Sequence, residues 1–371
     1  MLASVRRIGT RPYARTVSID PSVEVPVPVL RSQPGTATAI GSWPGTDVRA
    51  AIQAALDEFG EAPQVPYLPE LPARGPGADM IGRTAALLVD MPIDLQPSGW
   101  RLVDHPGRDL KRARSFLGED LDVLAEVAEG YTGRLKLQVA GPWTLASALW
   151  LPRLERAVVD PGAVRDLIAS LSEGIARHVQ AVAELLPGAE ILVQLDEPGL
   201  PAVLTGALPT ASGFGRLRAV EEPVIVEGLT AVLEAALAAG AVGTVLHSCA
   251  PDVPIEMLVK TGVGALSLDV RQLRTADWEQ VAVAVEGGTQ FWAGAVPTTD
   301  AVLAGTSLPR PDAVADTVWT PWRTLGLDVA SAGAVVITPA CGLAGASPQA
   351  ARAVLKLVKA AAAVLAERAE G

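Results

Sequence analysis

The sequence contains very few cysteine, histidine and aromatic residues. Among 371 residues there are two cysteines, Cys249 and Cys341, three histidines and 4% aromatic residues. Two cysteines can form one bridge at most, which excludes a disulfide framework and makes each thiol informative. A basic stripe is also missing, and the formal net charge of −11 opposes binding to nucleic acid. We therefore expect no nucleic-acid partner.

Long apolar runs are missing as well. The most hydrophobic stretches, residues 235–250 and 332–351, are interrupted by Gly, Pro, His or Ser too often for a bilayer helix. We expect a soluble, cytoplasmic protein without a membrane partner. Hydrophobic residues nevertheless make up 49% of the chain and charged residues 19%, which is enough for a large core.

The first 35 residues differ in composition from the rest. Four arginines precede the first acidic residue, Asp20, and a run rich in Pro and Val follows as far as Pro34. No apolar segment follows the arginines, which argues against a secretory signal. We expect residues 1–35 to be a disordered extension, with a transit-like leader or an early start codon as alternatives. Residues 36–371 are then the folded domain.

Eight short apolar runs, each followed by a helical pattern, predict the fold. They cover residues 36–42, 64–70, 135–140, 190–196, 242–247, 265–269, 289–295 and 334–338. Eight βα units in one chain predict a single TIM (β/α)₈ barrel of the α/β class. The alternative is an open doubly wound sheet, which would carry a glycine-rich phosphate loop after its first strand. The turn from Gly41 to Gly45 lacks the GxGxxG spacing of such a loop.

Acidic, imidazole and thiol side chains collect at the carboxyl ends of the predicted strands. The residues in question are Glu70, Asp196, His247, Cys249, Asp269 and Cys341. In a barrel these strand ends share one rim, where active sites are built. Groups that are distant in sequence are therefore expected to become neighbours.

His247, Cys249 and Cys341 form the sharpest local signal. Imidazole and thiolate are ligands that zinc prefers, and three protein ligands leave a fourth position for a substrate. A free cysteine taken alone is more often a small core residue. Both thiols of the chain lie at strand ends of the same rim, however, and this favours a Zn²⁺ site. Asp269 is a candidate fourth ligand, with an outer acid or a helix cap as the alternative.

Asp196 and Glu197 close an apolar strand. Adjacent strand residues face opposite sides, so one acid should face the site and bind a substrate ammonium while the other pairs with a cation. Glu70 ends its strand in the same manner. Ser42, after Gly41, offers a hydroxyl and backbone N–H groups to a carboxylate. The alternatives are a salt bridge at the rim and an ordinary turn.

Together these motifs resemble the catalytic barrel of cobalamin-independent methionine synthase, over residues 36 to the C-terminus. The resemblance rests on Ile40-Gly41-Ser42-Trp43-Pro44, Gly141-Pro142, Gln194-Leu195-Asp196-Glu197-Pro198, His247-x-Cys249, Asp269 and Pro339-x-Cys341-Gly342-Leu343. It implies a zinc-dependent methyltransferase that methylates a thiol such as homocysteine and gives methionine. By the resemblance His247, Cys249 and Cys341 are zinc ligands, and Asp269 stands where the family carries a glutamate.

The resemblance also implies how the substrates bind. Ile40, Gly41, Ser42 and Asp196 would hold the amino-acid part of homocysteine, and Glu70 would be the counterpart of another acid on that substrate. The methyl donor would be a methyl-folate or a corrinoid protein.

Two family residues are missing from their expected places. Thr298 and Thr299 follow strand seven where the family has a proton-donating histidine. Ala202 lies near the place of a glutamate that contacts folate.

Two other functions stay open at this point. One is zinc-dependent alkyl transfer from an epoxide to coenzyme M, which positive residues near the thiol pocket would favour. The other is a non-catalytic barrel that binds a small ligand such as a tetrapyrrole, which a His-x-Cys motif without metal would favour.

Overall fold

Six parallel strands in consecutive order form the central sheet of this α/β protein. The computed structural model describes residues 30–153 and 155–371. The strands of the central sheet are β3 (Arg134–Ala140), β4 (Glu190–Asp196), β5 (Gly243–Ser248), β6 (Ala265–Asp269), β7 (Gln290–Val296) and β8 (Val336–Pro339). Each lies within two residues of a predicted strand. Because the strands are parallel, the segment between two strands returns the chain to the amino-terminal side of the sheet before the next strand begins.

The first two predicted strands, residues 36–42 and 64–70, are present as extended segments with isolated bridges. Ala37 bridges Ile337 on β8, Tyr67 bridges Lys136 on β3, and Ser42 bridges Glu70, all in parallel. The prediction of two regular strands here is wrong. Residues 64–70 contain two prolines, which cannot donate ladder hydrogen bonds and interrupt the pairing.

Helices surround the sheet. They are α1 (Val48–Phe59), α2 (Met80–Leu87), α3 (Arg108–Val127), α4 (Pro142–Ala148), α5 (Pro161–Leu185), α6 (Leu200–Thr205), α7 (Glu222–Ala238), α8 (Ile255–Val259), α9 (Thr275–Glu286), α10 (Asp300–Leu303), α11 (Pro311–Thr324), α12 (Val329–Ala332) and α13 (Pro348–Glu370). In residues 30–153 and 155–371, no helix has both the length and the apolar character needed to cross a bilayer.

The segment between α2 and β3 carries an antiparallel hairpin, β1 (Ile93–Gln96) with β2 (Gly99–Leu102). The hairpin is followed by α3, which is 20 residues long and begins at Arg108. Its buried residues include Leu110 and Leu117, and this apolar face stabilises the helix.

The interior of the sheet changes from apolar to polar along the strands. At the amino ends an apolar floor contains Leu30, Val65, Leu192, Val245, Ala265, Trp292 and Val336. Residues two positions further along a strand face the same side, and these are Gln194, His247 and Ser267 on β4, β5 and β6. Leu30 is 3% exposed, so the predicted N-terminal extension includes a residue of the core; residues 1–29 lie outside the described residues.

Candidate active site

Cys249, which follows β5, meets Cys341, which follows β8. Their Sγ atoms lie 3.0 Å apart although 92 positions separate them in the chain. Both cysteines are free and half-buried, and an S–S bond would be about 2.0 Å long. The structure therefore brings the two thiols together at the carboxyl ends of the strands as a reduced pair.

The imidazole of His247 is oriented by the neighbouring strand. Its Nδ1 lies 3.1 Å from the backbone oxygen of Ser267 on β6 and 3.1 Å from the Oγ of the same residue. A carbonyl oxygen accepts only from a protonated nitrogen, so this contact assigns the proton to Nδ1 and leaves a lone pair on Nε2. Nε2 is buried and has no hydrogen-bond partner within the described residues.

The two thiols differ in acidity. The pKa of Cys341 is lowered, because the Cys249 thiol donates a hydrogen bond to it. The same hydrogen bond, together with burial, raises the pKa of Cys249. The hydrogen bond therefore favours the thiolate form of Cys341, which is the form that binds metal ions.

Asp269 ends β6, and its carboxylate turns toward the following loop. Oδ1 accepts a hydrogen bond from the backbone N–H of Arg271 at 3.0 Å and lies 3.7 Å from the Nε of that residue. A carboxylate that binds a backbone N–H two residues ahead forms an Asx turn. This contact stabilises the loop after β6 but is not a helix cap, because the next helix, α9, begins only at Thr275.

Asp196 and Glu197 take different roles. Asp196 at the end of β4 accepts a hydrogen bond from Gln194 at 2.7 Å, and burial raises its pKa. Glu197 accepts hydrogen bonds from the backbone N–H groups of Trp143 and Thr144 at 2.9 and 2.7 Å. The prediction that the second acid pairs with a cation is wrong, because the N-terminus of α4 supplies the positive partner.

The turn formed by Ile40, Gly41 and Ser42 lies beside these groups. It is fixed to the second extended segment, since the backbone N–H of Glu70 donates to the oxygen of Gly41 at 3.1 Å. A Cβ atom on Gly41 would lie 2.5 Å from the Cγ of Gln138. Only glycine allows the turn to approach the β3 wall this closely.

The same turn also contacts the loop that carries Cys341. The backbone N–H of Leu343 donates to the oxygen of Ser42 at 3.0 Å. Any Cβ atom on Gly342 would overlap the Oγ of Ser42. The Ile40 turn and the cysteine loop therefore form one continuous part of the rim.

Glu70 places a second carboxyl group in the interior. Its side chain is 3% exposed, and burial raises its pKa to about 7 despite the opposing charge of Arg83. The charge of Asp196 raises the pKa of Glu70 further. Two carboxyl groups with raised pKa values near each other favour the entry of a cation.

Comparison of the sequence with known families gives one decisive result. Residues 35–364 match the family model described as cobalamin-independent synthase, catalytic domain. The chain belongs to this family. Comparison with curated proteins gives no match.

A solved structure shares the fold of this chain. A B12-independent methionine synthase from Shewanella sp. W3-18-1, in complex with selenomethionine, matches with a TM-score of 0.57 and 14% identity. The match covers 90% of this chain and 98% of that one. The carboxyl transferase domain of Rhizobium etli pyruvate carboxylase matches with a TM-score of 0.32, 11% identity, and coverage of 92% and 56%. That TM-score is too low to indicate a shared fold.

The donors His247, Cys249 and Cys341 fit a zinc ion by their chemistry, although they do not form a preassembled cage. No group of three or more His, Cys, Asp or Glu side chains in the described part of the chain has the spacing of a formed metal site. His247 nevertheless presents a buried nitrogen without a partner, and the two sulfurs lie in contact with each other. One imidazole and two thiolates are a common zinc donor set.

Four polar residues of the interior were missed by the sequence analysis. These are Lys136, Gln138, Gln194 and Ser267, all of which are at most 3% exposed. A signal was present, because Lys136 and Gln138 alternate with apolar residues along β3 and therefore share one face. A lysine at an inward position of a buried strand indicates a specific partner.

Proposed function

We propose that this chain is a zinc-dependent methyltransferase that methylates the thiol of homocysteine and yields methionine. Family membership supports the class of enzyme. The observation that carries the proposal is the buried Nε2 of His247, which lacks a partner in the described residues and lies at the rim with the Cys249–Cys341 pair. Three such ligands leave one position of a tetrahedral zinc site for the substrate thiol.

The proposal includes a closed barrel in which two irregular extended segments join the edges of the six-stranded sheet. The segments 36–42 and 64–70 supply its first two members. The backbone N–H of Thr38 donates to Ile337 on β8 at 3.2 Å, and that of Lys136 on β3 donates to Pro66 at 2.9 Å. Hydrogen bonds thus connect both edges of the six-stranded sheet to these segments, as closure requires.

Homocysteine would be held by groups on both sides of the rim. Asp196 would bind its ammonium group, and Glu70 would add a second negative charge nearby. Backbone N–H groups and the hydroxyl in the Ile40, Gly41 and Ser42 turn would bind its carboxylate. This arrangement directs the thiol toward His247 and the two cysteines, and an oriented thiol reacts faster than a freely diffusing one.

His247, Cys249 and Cys341 would hold the metal. When bound, zinc supplies the positive charge that lowers the pKa of a substrate thiol so that it is a thiolate at neutral pH. Ser267 fixes the tautomer of His247 through Nδ1, a role that commonly tunes metal affinity. Asp269, which is bound to Arg271, would support the loop.

The site favours a thiol that carries an ammonium group over a thiol that carries a sulfonate. Asp196 and Glu70 are both buried at the site, and either carboxylate would repel the sulfonate of coenzyme M. We propose methyl-folate as the donor, in keeping with family membership, and a corrinoid protein as the alternative. Thr298 and Thr299, which follow β7, would then replace the family histidine as neighbours of the donor.

A direct experiment is to supply the purified zinc-loaded protein with L-homocysteine and a methyl donor. Separate reactions contain methyl-folate or methylcobalamin, and methionine is quantified by mass spectrometry. Methionine formed with one donor supports the proposal and identifies that donor. A protein that binds zinc but forms no methionine with either donor would contradict the proposed reaction.

A further inference from the structure

Lys136 is a buried cation in the interior that the proposed reaction does not use. Its side chain is 0% exposed. Its Nζ donates to the backbone oxygen of Ile40 at 2.6 Å and to the Oε1 of Gln194 at 2.7 Å. Burial lowers the pKa of Lys136 to about 7, against the opposing effect of Asp196 and Glu70. Burying an amine is costly, so its retention requires strong local interactions.

Lys136 determines which way the side-chain amide of Gln194 points. An ammonium group can only donate, so the atom of Gln194 facing it must be Oε1. The Nε2 atom then faces the other side, where it donates to Ile40 oxygen at 3.0 Å and to Asp196 Oδ1 at 2.7 Å. Gln194 therefore connects Lys136 to the carboxylate proposed to bind the substrate ammonium.

The same lysine holds the turn proposed to bind the substrate carboxylate. Ile40 oxygen accepts hydrogen bonds from both Lys136 and Gln194. The Ile40 carbonyl thus points toward these two side chains, and because the peptide bond is planar and trans the N–H of Gly41 points the opposite way. Lys136 therefore contacts, directly or through Gln194, both groups proposed to bind the amino-acid part of the substrate.

We infer that Lys136 is a positioning residue that orients Asp196 and the Ile40 turn for an α-amino acid bearing a thiol. The inference rests on the proposed function and deepens it. Lys136 also balances charge, because the interior holds two carboxyl groups, Glu70 and Asp196, and one lysine. The substrate ammonium would bring a second cation next to these carboxyl groups.

The test compares two thiols on the zinc-loaded wild type and on Lys136→Met. The probes are L-homocysteine and 1-propanethiol, which has the thiol but lacks the amino-acid groups, and the measurement is the dissociation constant by calorimetry. Met keeps the length of the side chain and removes the ammonium. We expect the affinity for L-homocysteine to fall at least tenfold and that for 1-propanethiol to stay within about twofold.

Lys359→Met is the matched control. Lys359 also donates to a backbone oxygen, that of Glu58 at 3.1 Å, but it lies on α13. This control should leave both affinities unchanged. Equal losses for both thiols in Lys136→Met, or no loss for either, would overturn the positioning role.

A crystal structure of Lys136→Met gives a readout that does not depend on catalysis. We expect the amide of Gln194 to rotate and the Ile40 carbonyl to shift. Unchanged positions of Gln194, Asp196 and Ile40 would overturn the inference even if the variant is inactive. A wild type that binds neither thiol would instead contradict the proposed function, while the crystal structure still decides the role of Lys136.

Discussion

The two halves of the site differ in how completely their polar groups are paired. On the amino-acid side, Gln194 donates to Asp196 and accepts from Lys136, and both Gln194 and Lys136 donate to the Ile40 oxygen. On the sulfur side, Nε2 of His247 has no partner in the described residues, and the two sulfurs contact each other. Buried polar atoms are normally paired. The chain therefore assembles the Asp196, Gln194 and Lys136 network by itself, whereas the imidazole of His247 leaves a position for a bound group.

The largest effect is expected from removing a donor on the sulfur side. His247→Ala deletes one of three proposed ligands, so zinc content should fall from near one per chain to below about 0.1, with activity lost by more than about 100-fold. Metal analysis by mass spectrometry measures this. His105→Ala removes an exposed histidine and serves as the control. Near-stoichiometric zinc in His247→Ala would show that the metal site lies elsewhere.

Asp196→Asn tests the other half. The substitution keeps the size of the side chain and removes the charge proposed to bind the substrate ammonium. A charged hydrogen bond contributes about 1.5–3 kcal/mol, so the KM for homocysteine should rise about 10–100-fold. Zinc content should not change, because Asp196 is not a proposed ligand. If zinc is lost as well, the two halves are coupled and the comparison between them fails.

Glu70→Gln should change the pH dependence of stability. Burial raises the pKa of Glu70 from 4.5 to about 7, so the folded chain keeps a proton that the unfolded chain releases. The wild type therefore loses stability as the pH rises through this window. Gln cannot ionise, so the variant should gain about 1–3 kcal/mol relative to wild type across it.

Urea unfolding at about pH 5 and about pH 8 measures this difference. Glu129→Gln is the control, because it makes the same Glu-to-Gln change at an exposed position. A constant difference between Glu70→Gln and wild type at both pH values would show that Glu70 is already ionised in the folded protein. That result would contradict a raised pKa for Glu70 in the folded protein.

The sequence predicted the six strands of the sheet and the family, because apolar runs and short motifs are local signals. Residues such as Cys249 and Cys341 could be placed on one rim, since parallel strands share their carboxyl ends. The irregular pairing of residues 64–70 could have been expected from Pro66 and Pro69, which cannot donate ladder bonds.

The orientation of side chains could not be predicted in the same way. Gln194 lies two positions before Asp196 and so shares its face, but its bond to Ile40 depends on a turn 154 positions away. Glu197 likewise caps α4, whose position relative to β4 follows only from the packed fold. Local patterns determine which face a residue takes, and tertiary packing determines its partner.

Asp269→Ala is expected to have the smallest effect, and it tests whether Asp269 belongs to the metal-binding side of the site. The Oδ1 atom of Asp269 is bonded to the N–H of Arg271, so the substitution should cost about 1 kcal/mol of stability and leave activity within about twofold. Zinc affinity, measured by competition with a chelator, should stay unchanged. A tenfold weaker zinc affinity would mean that the carboxylate leaves Arg271 and binds zinc together with His247 and the cysteines. The substrate thiol would then have to displace a fourth protein ligand.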